Sequence, residues 1–195
     1  MILLTAEFLV LTFDDIWLLT HRLVKKIRNE NFNPDILIGI SRGGLVVTRI
    51  LSDMMDNSNV AIIGVGFYKG INETDKEPII TQDLTIDLTK KQVLLIDDVS
   101  DTGKSFDYTL NYLKSKNLQK IKTVALHYKP HSIFKPDIFV NETSKWIVYP
   151  WEYMEFTKLY FKQKQEEKID KEVIIQNLKD IKIPDIVIDA VQENL

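Results

Sequence analysis

The chain has no cysteine in its 195 residues, which excludes disulfides, thiolate nucleophiles and thiolate metal ligands. It has no basic excess either: 25 lysines and arginines face 28 aspartates and glutamates, a formal charge of -3. No global positive field therefore recommends nucleic acid or an anionic membrane as a partner, and any anion must be held by local groups. The three histidines, His21, His127 and His131, share no metal-ligand spacing. No apolar run reaches the roughly 20 residues a membrane span needs. The opening MILLTAEFLVLTFDDIWLLT comes nearest, but Glu7, Asp14 and Asp15 interrupt it and no basic leader precedes it, so it is read as folded structure. Low-complexity tracts and internal repeats are absent. With 45% hydrophobic and 27% charged residues, the chain suits one globular domain with an appendage, and its composition fits a cytoplasmic location.

Thr12 followed three residues later by Asp15 is a helix N-cap signal, and Ile16, Leu19, Leu23 and Ile27 then recur at helical spacing. After Pro34 comes a short apolar run, ILIGI at 36–40, then SRGG, then a helical pattern of Leu45, Val46, Ile50, Leu51 and Met54. Further strand candidates are VAIIGVG at 60–66, VLLI at 93–96, KTVALHY at 122–128, DIFV at 137–140 and WIVY at 146–149. A helix on Phe106, Leu110 and Leu113 separates the 93–96 and 122–128 runs, while residues 67–85 read as a long polar loop. Unbroken apolar strands alternating with helices predict an α/β fold with a mostly parallel central sheet flanked by helices. In such sheets ligands sit beyond the carboxyl ends of the strands, so SRGG and DDVSDTGKS, each following a strand, should face one crevice.

The second of these segments carries the chemistry. Asp101 to Ser105 is read as opening a helix, whose unpaired N–H groups and positive dipole end suit a phosphate; Gly103 permits close approach, Thr102 and Ser105 add hydroxyls, and Lys104 adds charge. Asp97 and Asp98 would repel that phosphate and should instead bind something hydroxylated or cationic, such as a ribose diol or Mg²⁺. A sugar phosphate satisfies both halves. The duller reading, acids that merely cap a helix, suits single acids better than this cluster. TGKS resembles the end of a Walker A loop, but Asp98 stands where that motif needs glycine. GISRG at 39–43 matches the hydrolase elbow G-x-S-x-G, with Asp97 or Asp98 and then His127 or His131 following in order; yet it arrives after only one or two strands, without an HGGG-type segment, and would leave the acidic phosphate turn without a role.

VLLIDDVSDTGKS at 93–105 resembles the phosphoribosyl pyrophosphate signature of type I phosphoribosyltransferases, and GISRGGL resembles the pyrophosphate loop of the same family. HYKP and KWIVYPWE are similar to the base-binding segments of its xanthine/guanine/hypoxanthine branch, and the resemblance runs from about Thr12 to Glu152. It implies a type I phosphoribosyltransferase-like fold with a mobile lid at about 67–85, a base-binding segment at about 127–152, and a helical C-terminal extension at 153–195 of unassigned role. The implied activity is phosphoribosyl transfer from phosphoribosyl pyrophosphate to a 6-oxopurine in purine salvage, with Mg²⁺ and a homodimer or larger assembly. Carried over by position, Asp97 and Asp98 bracket the ribose hydroxyls and hold the metal, Asp98 nearest. Ser100 and Asp101 to Ser105 surround the 5′-phosphate, while Ser41, Arg42 and Gly43 form the pyrophosphate loop. Asp101 handles the proton at purine N7. Lys129 donates to the exocyclic oxygen, Trp146 stacks on the ring, Ile147 offers backbone groups, and Glu152 lies near C2. The lid stretch carries no family motif beyond Tyr68 and Lys69 as suggestions. A different class of function is a non-catalytic regulator that keeps the ligand site; the presence of Asp101, Arg42 and Lys129 favours catalysis.

Overall fold

The computed structural model describes residues 8–68 and 77–193, and the chain divides into two compact units. The larger is Trp17–Ser144 and the smaller joins Met1–Ile16 to Lys145–Leu195. The expected boundary after Glu152 therefore falls inside the smaller unit.

The larger unit holds a six-stranded sheet. Its strands are β2 (Ile36–Ser41), β3 (Val60–Tyr68), β4 (Glu77–Gln82), β5 (Gln92–Ser100), β6 (Lys120–Tyr128) and β7 (Ile138–Glu142), in the order β4-β3-β2-β5-β6-β7. All neighbours are parallel except β3 and β4. Three helices belong wholly or largely to this unit: α1 (Phe13–Asn29, from Trp17 onward), α2 (Gly43–Met55) and α3 (Lys104–Lys114). Alternate residues of the central strands serve opposite faces. Ile38, Ile40, Val93 and Leu95 are buried with Phe106 and Leu113 of α3. Gly39 faces the other way, and a methyl there would overlap the hydroxyl of Thr48 on α2. Both faces are thus covered, which explains why β2 and β5 read as continuous apolar runs.

The smaller unit pairs β1 (Phe8–Val10) with β8 (Trp146–Val148) in a separate parallel ribbon, Phe8 opposite Trp146 and Val10 opposite Val148. Helices α4 (Tyr153–Glu166), α5 (Lys171–Asp180) and α6 (Asp185–Gln192) close over it. Val148, Phe156, Phe161, Ile174, Leu178, Ile188 and Val191 form its buried core, with Phe8 and Val10 packed alongside. The tail read from sequence as an extension is therefore the bulk of this unit. Thr12 and Asp15 cap α1 reciprocally: the Thr12 N–H and hydroxyl donate to Asp15 Oδ2 at 2.9 and 2.6 Å, and the Asp15 N–H returns to Thr12 Oγ1 at 3.2 Å. Those bonds hold the Asp15 carboxyl below its ordinary range.

Three sequence expectations change. WIVY does not join the main sheet but pairs with β1, whose three residues are too short a run to announce a strand. Part of the expected 67–85 loop is the antiparallel pair of β3 and β4, with Phe67 opposite Pro78, and the remaining lid residues 69–76, Lys69 included, lie outside the described residues. The strand expected to stop at Ile96 continues through Asp97 and Asp98 to Ser100, and the helix expected from Asp101 begins at Lys104.

Candidate functional site

Extension of β5 to Ser100 places both acids on a strand instead of a turn, paired along β6: Asp97 lies opposite Ala125, and Val99 lies opposite His127. The free loop is only Asp101 to Gly103, and α3 starts immediately after it. Gly103 has φ 83°, in the left-handed region, and its amide-rich turn leads into an eleven-residue helix with a positive dipole end.

A cavity of about 410 Å³ opens over this loop, lined by Phe67, Asp97, Val99 and every residue from Ser100 to Phe106. That volume suits a small molecule. Asp101, Thr102, Gly103, Lys104 and Ser105 are thus gathered around one space. Phe67 stands at the start of the expected 67–85 loop, whereas lining by Val99 carries no sequence signal, because it looks like an ordinary strand residue.

The turn after β2 meets the same strand end. Arg42 is exposed and follows Ser41 through a cis peptide bond. Gly43 sits so close to β5 that a methyl group there would overlap the Asp98 carboxylate, and the Gly44 N–H is donated to Asp97. The two polar segments read from sequence as facing one crevice do abut. The acids are themselves constrained, since Asp97 Oδ1 accepts the Asp98 N–H at 3.0 Å and Asp98 Oδ1 accepts the Val99 N–H at 2.8 Å. Burial, and next the neighbouring Asp98 charge, push the Asp97 carboxyl well above its ordinary range. A cation between the two would relieve that repulsion.

From the end of β6 a short segment returns over the loop. Lys129 N–H bonds Ser100 O at 3.0 Å, Ile133 N–H bonds Thr102 O at 3.0 Å, and Ser100 Oγ donates to Phe134 O at 2.7 Å. Phe134 also stacks on Phe106, rings 5.3 Å apart. Lys129 is only 6% exposed, and burial lowers its ammonium from the usual range while the Asp101 charge opposes the shift. Asp101 Oδ1 meets His131 Nε2 at 3.1 Å. No sequence signal announces this contact, since the histidines share no metal-ligand spacing and His131 lies thirty residues from Asp101.

Beneath Lys129 lies His127, fully buried. Burial first, and the Lys129 charge second, bring its imidazole down from 6.5 to about 4. Unfolded, it takes a proton near 6.5; folded, it resists until about 4, so the unfolded chain binds more protons throughout that window. Its contribution to stability is complete above the window and declines as the pH falls through it. From pH 7 to pH 5 this one group costs about 2 kcal/mol. Urea unfolding at both pH values should show His127→Gln losing less stability than wild type by about that amount; parallel losses would refute the assignment.

Lys129 lies in the larger unit, whereas Trp146, Ile147 and Glu152 lie in the smaller one. Trp146 is 62% exposed and Ile147 is buried. Trp151 stacks on Tyr149 at 4.8 Å beside them in sequence.

A family model for the phosphoribosyl transferase domain matches residues 14–156. The chain belongs to that family. A solved purine phosphoribosyltransferase from Pyrococcus horikoshii is 35% identical with a TM-score of 0.68, over 74% of this chain and 93% of that one. Xanthine phosphoribosyltransferase 1 of Saccharomyces cerevisiae is 26% identical over 188 residues, 75% of this chain and 90% of its own length. A Neisseria gonorrhoeae protein solved with bound ppGpp is 26% identical with a TM-score of 0.69, covering 75% of this chain and 89% of that one. The protein is thus a phosphoribosyltransferase of the type I fold, and the hydrolase reading of Ser41 falls. The family match stops within α4, so α5 and α6 lie beyond it.

Proposed function

We propose that the protein transfers the phosphoribosyl group of phosphoribosyl pyrophosphate to a 6-oxopurine, hypoxanthine, guanine or xanthine, giving a nucleoside 5′-monophosphate and pyrophosphate. One observation carries the reading: a glycine-capped loop at a helix N-terminus and Asp97 of the adjoining strand line one cavity of about 410 Å³, with Asp98 the next residue of that strand. A sugar phosphate has both a group for the amides and hydroxyls for the acids. The purine-specific relatives and the ppGpp-bound neighbour support the choice of base.

In this reading the amides and hydroxyls of Thr102 to Ser105 grip the 5′-phosphate, and Asp97 and Asp98 hold the ribose diol. Arg42, with the Gly43 amide, meets the diphosphate, where a guanidinium can bond two oxygens. As the bond from C1′ to the diphosphate oxygen breaks, its electron pair leaves with pyrophosphate. The purine nitrogen bonds C1′, and the N7 proton passes to the Asp101 carboxylate. Lys129, with a burial-weakened ammonium, donates to the exocyclic oxygen. Exposed Trp146 supplies a stacking face, the Ile147 backbone meets the purine edge, and Glu152 discriminates at C2; these three assignments rest on the resemblance.

Mg²⁺ suits the site. Among the described residues no cluster of three acidic, histidine or cysteine ligands exists, but Mg²⁺ is commonly held by one or two carboxylates with substrate oxygens and water. Asp98 and Asp97 would hold it, burial first and the Asp98 charge second already raising the Asp97 carboxyl. When bound, it neutralises charge on the diphosphate. We assign the enzyme to a homodimer or larger assembly, measurable as solution mass.

The decisive assay incubates the protein with Mg²⁺, phosphoribosyl pyrophosphate and each purine base, and separates nucleotide by chromatography. Nucleotide should form with at least one 6-oxopurine, and kcat/KM across the three ranks them. Absence of product with every base would overturn the reading.

A further inference from the structure

Asp101 sits on a loop of three residues and its carboxylate is largely exposed. A side chain so placed samples several rotamers, which is a poor arrangement for a group that must meet one proton on a bound base. Yet Asp101 Oδ1 lies 3.1 Å from His131 Nε2. Opposite an acceptor-only carboxylate, that nitrogen carries the hydrogen.

The pairing is imposed by the backbone. Lys129 N–H to Ser100 O and Ile133 N–H to Thr102 O, both 3.0 Å, clamp the segment bearing His131 on each side of the residue bearing the carboxylate. Ser132 N–H closes a turn on Lys129 O at 3.0 Å, with His131 inside it. Exposed as the two side chains are, at 62% and 61%, the contact adds little to stability. Stability therefore does not account for it. Lys129 of the same segment also feels the charge of this carboxylate.

We propose that His131 is a positioning residue for Asp101: its ring N–H holds Oδ1 and so fixes the rotation of the carboxylate, leaving Oδ2 to receive the purine proton. His131 itself touches no substrate. The inference rests on the role of Asp101 proposed above.

Steady-state kinetics on wild type, His131→Ala and His131→Gln, with Mg²⁺, phosphoribosyl pyrophosphate and the best base, tests it. His131→Ala should lower kcat about tenfold, the scale of one lost hydrogen bond to a charged group, with both KM values within about twofold of wild type. His131→Gln, whose amide N–H reaches as far as Nε2, should recover most of that loss. Combined with Asp101→Asn, His131→Ala should cost nothing further. An unchanged kcat in His131→Ala overturns the proposal. So does a raised KM for phosphoribosyl pyrophosphate with kcat intact, which would make His131 a phosphate ligand, or a failure of His131→Gln to recover. An inactive wild type would remove the proposed function and this role together, whereas an active wild type indifferent to His131 removes only this role.

Discussion

Asp101→Asn is expected to lower kcat by about 10² to 10⁴, the usual contribution of a positioned acid or base, while KM for phosphoribosyl pyrophosphate stays within a few-fold. The asymmetry follows from the geometry. The residue lies on the loop lining the cavity, but the phosphate in the proposed reading is held by the amides and hydroxyls of Thr102 to Ser105, which an amide at position 101 leaves in place. Asp101 is also 61% exposed, so thermal melting should hardly move. A second consequence concerns Lys129. Burial already lowers its ammonium and the Asp101 charge opposes that shift, so the neutral amide should let the Lys129 pKa fall further, readable from the pH dependence of its chemical modification. Equal kcat in wild type and Asp101→Asn would remove the acid/base role and leave a purely binding loop.

Gly103→Ala should fail in a different way, losing both ligand and stability. At φ 83° a non-glycine residue occupies the left-handed region, which costs about 1 to 2 kcal/mol. The added methyl would also lie 2.6 Å from the Phe134 amide nitrogen, a backbone atom that cannot rotate aside. Overpacking of this kind typically adds about 1 to 3 kcal/mol. Because Ser100 Oγ and the Thr102 carbonyl anchor the same returning segment, relief of the clash must displace the loop itself. We expect unfolding free energy to drop by about 2 to 5 kcal/mol, and KM for phosphoribosyl pyrophosphate to rise at least tenfold in whatever folds. A Gly103→Ala protein with unchanged denaturant midpoint and KM would show that the loop has more room than the structure gives it.

The two variants separate the roles of a single loop. One removes a proton acceptor and spares the cradle; the other distorts the cradle and spares the acceptor. His127→Gln is a control on the layer beneath, since its effect belongs to pH-dependent folding and not to turnover.

Much of the site was legible before folding because its logic is local. Asp97 to Ser105 are contiguous, and a carboxylate pair upstream of a glycine and hydroxyl turn keeps its meaning in any α/β sheet that ends a strand there. The residues 41–44 turn was readable for the same reason. Boundaries were less legible: β5 runs to Ser100 because β6 supplies ladder partners that far, whereas its pairing with β2 ends at Ile96, and the polarity of Asp97 and Asp98 hides that continuation. β4 escaped notice because it is a short, largely exposed strand at the sheet edge, within a stretch whose residues are mostly polar. The carboxylate–imidazole contact could not be read at all, since it joins residues thirty positions apart through a returning segment.

By itself the sequence determined the alternation of strands and helices, the mostly parallel sheet, the glycine-bearing helix start after the acidic pair and the family, because each is written in spacing over a few neighbouring residues. Only the tertiary structure decided that the first strand pairs with Trp146–Val148 and that residues 153–193 build a core with it, that Gly43 has room for no side chain beside Asp98, and that His131 holds Asp101. Those are contacts between distant parts of the chain, set by which buried faces and backbone groups find each other on folding, and no local period encodes them.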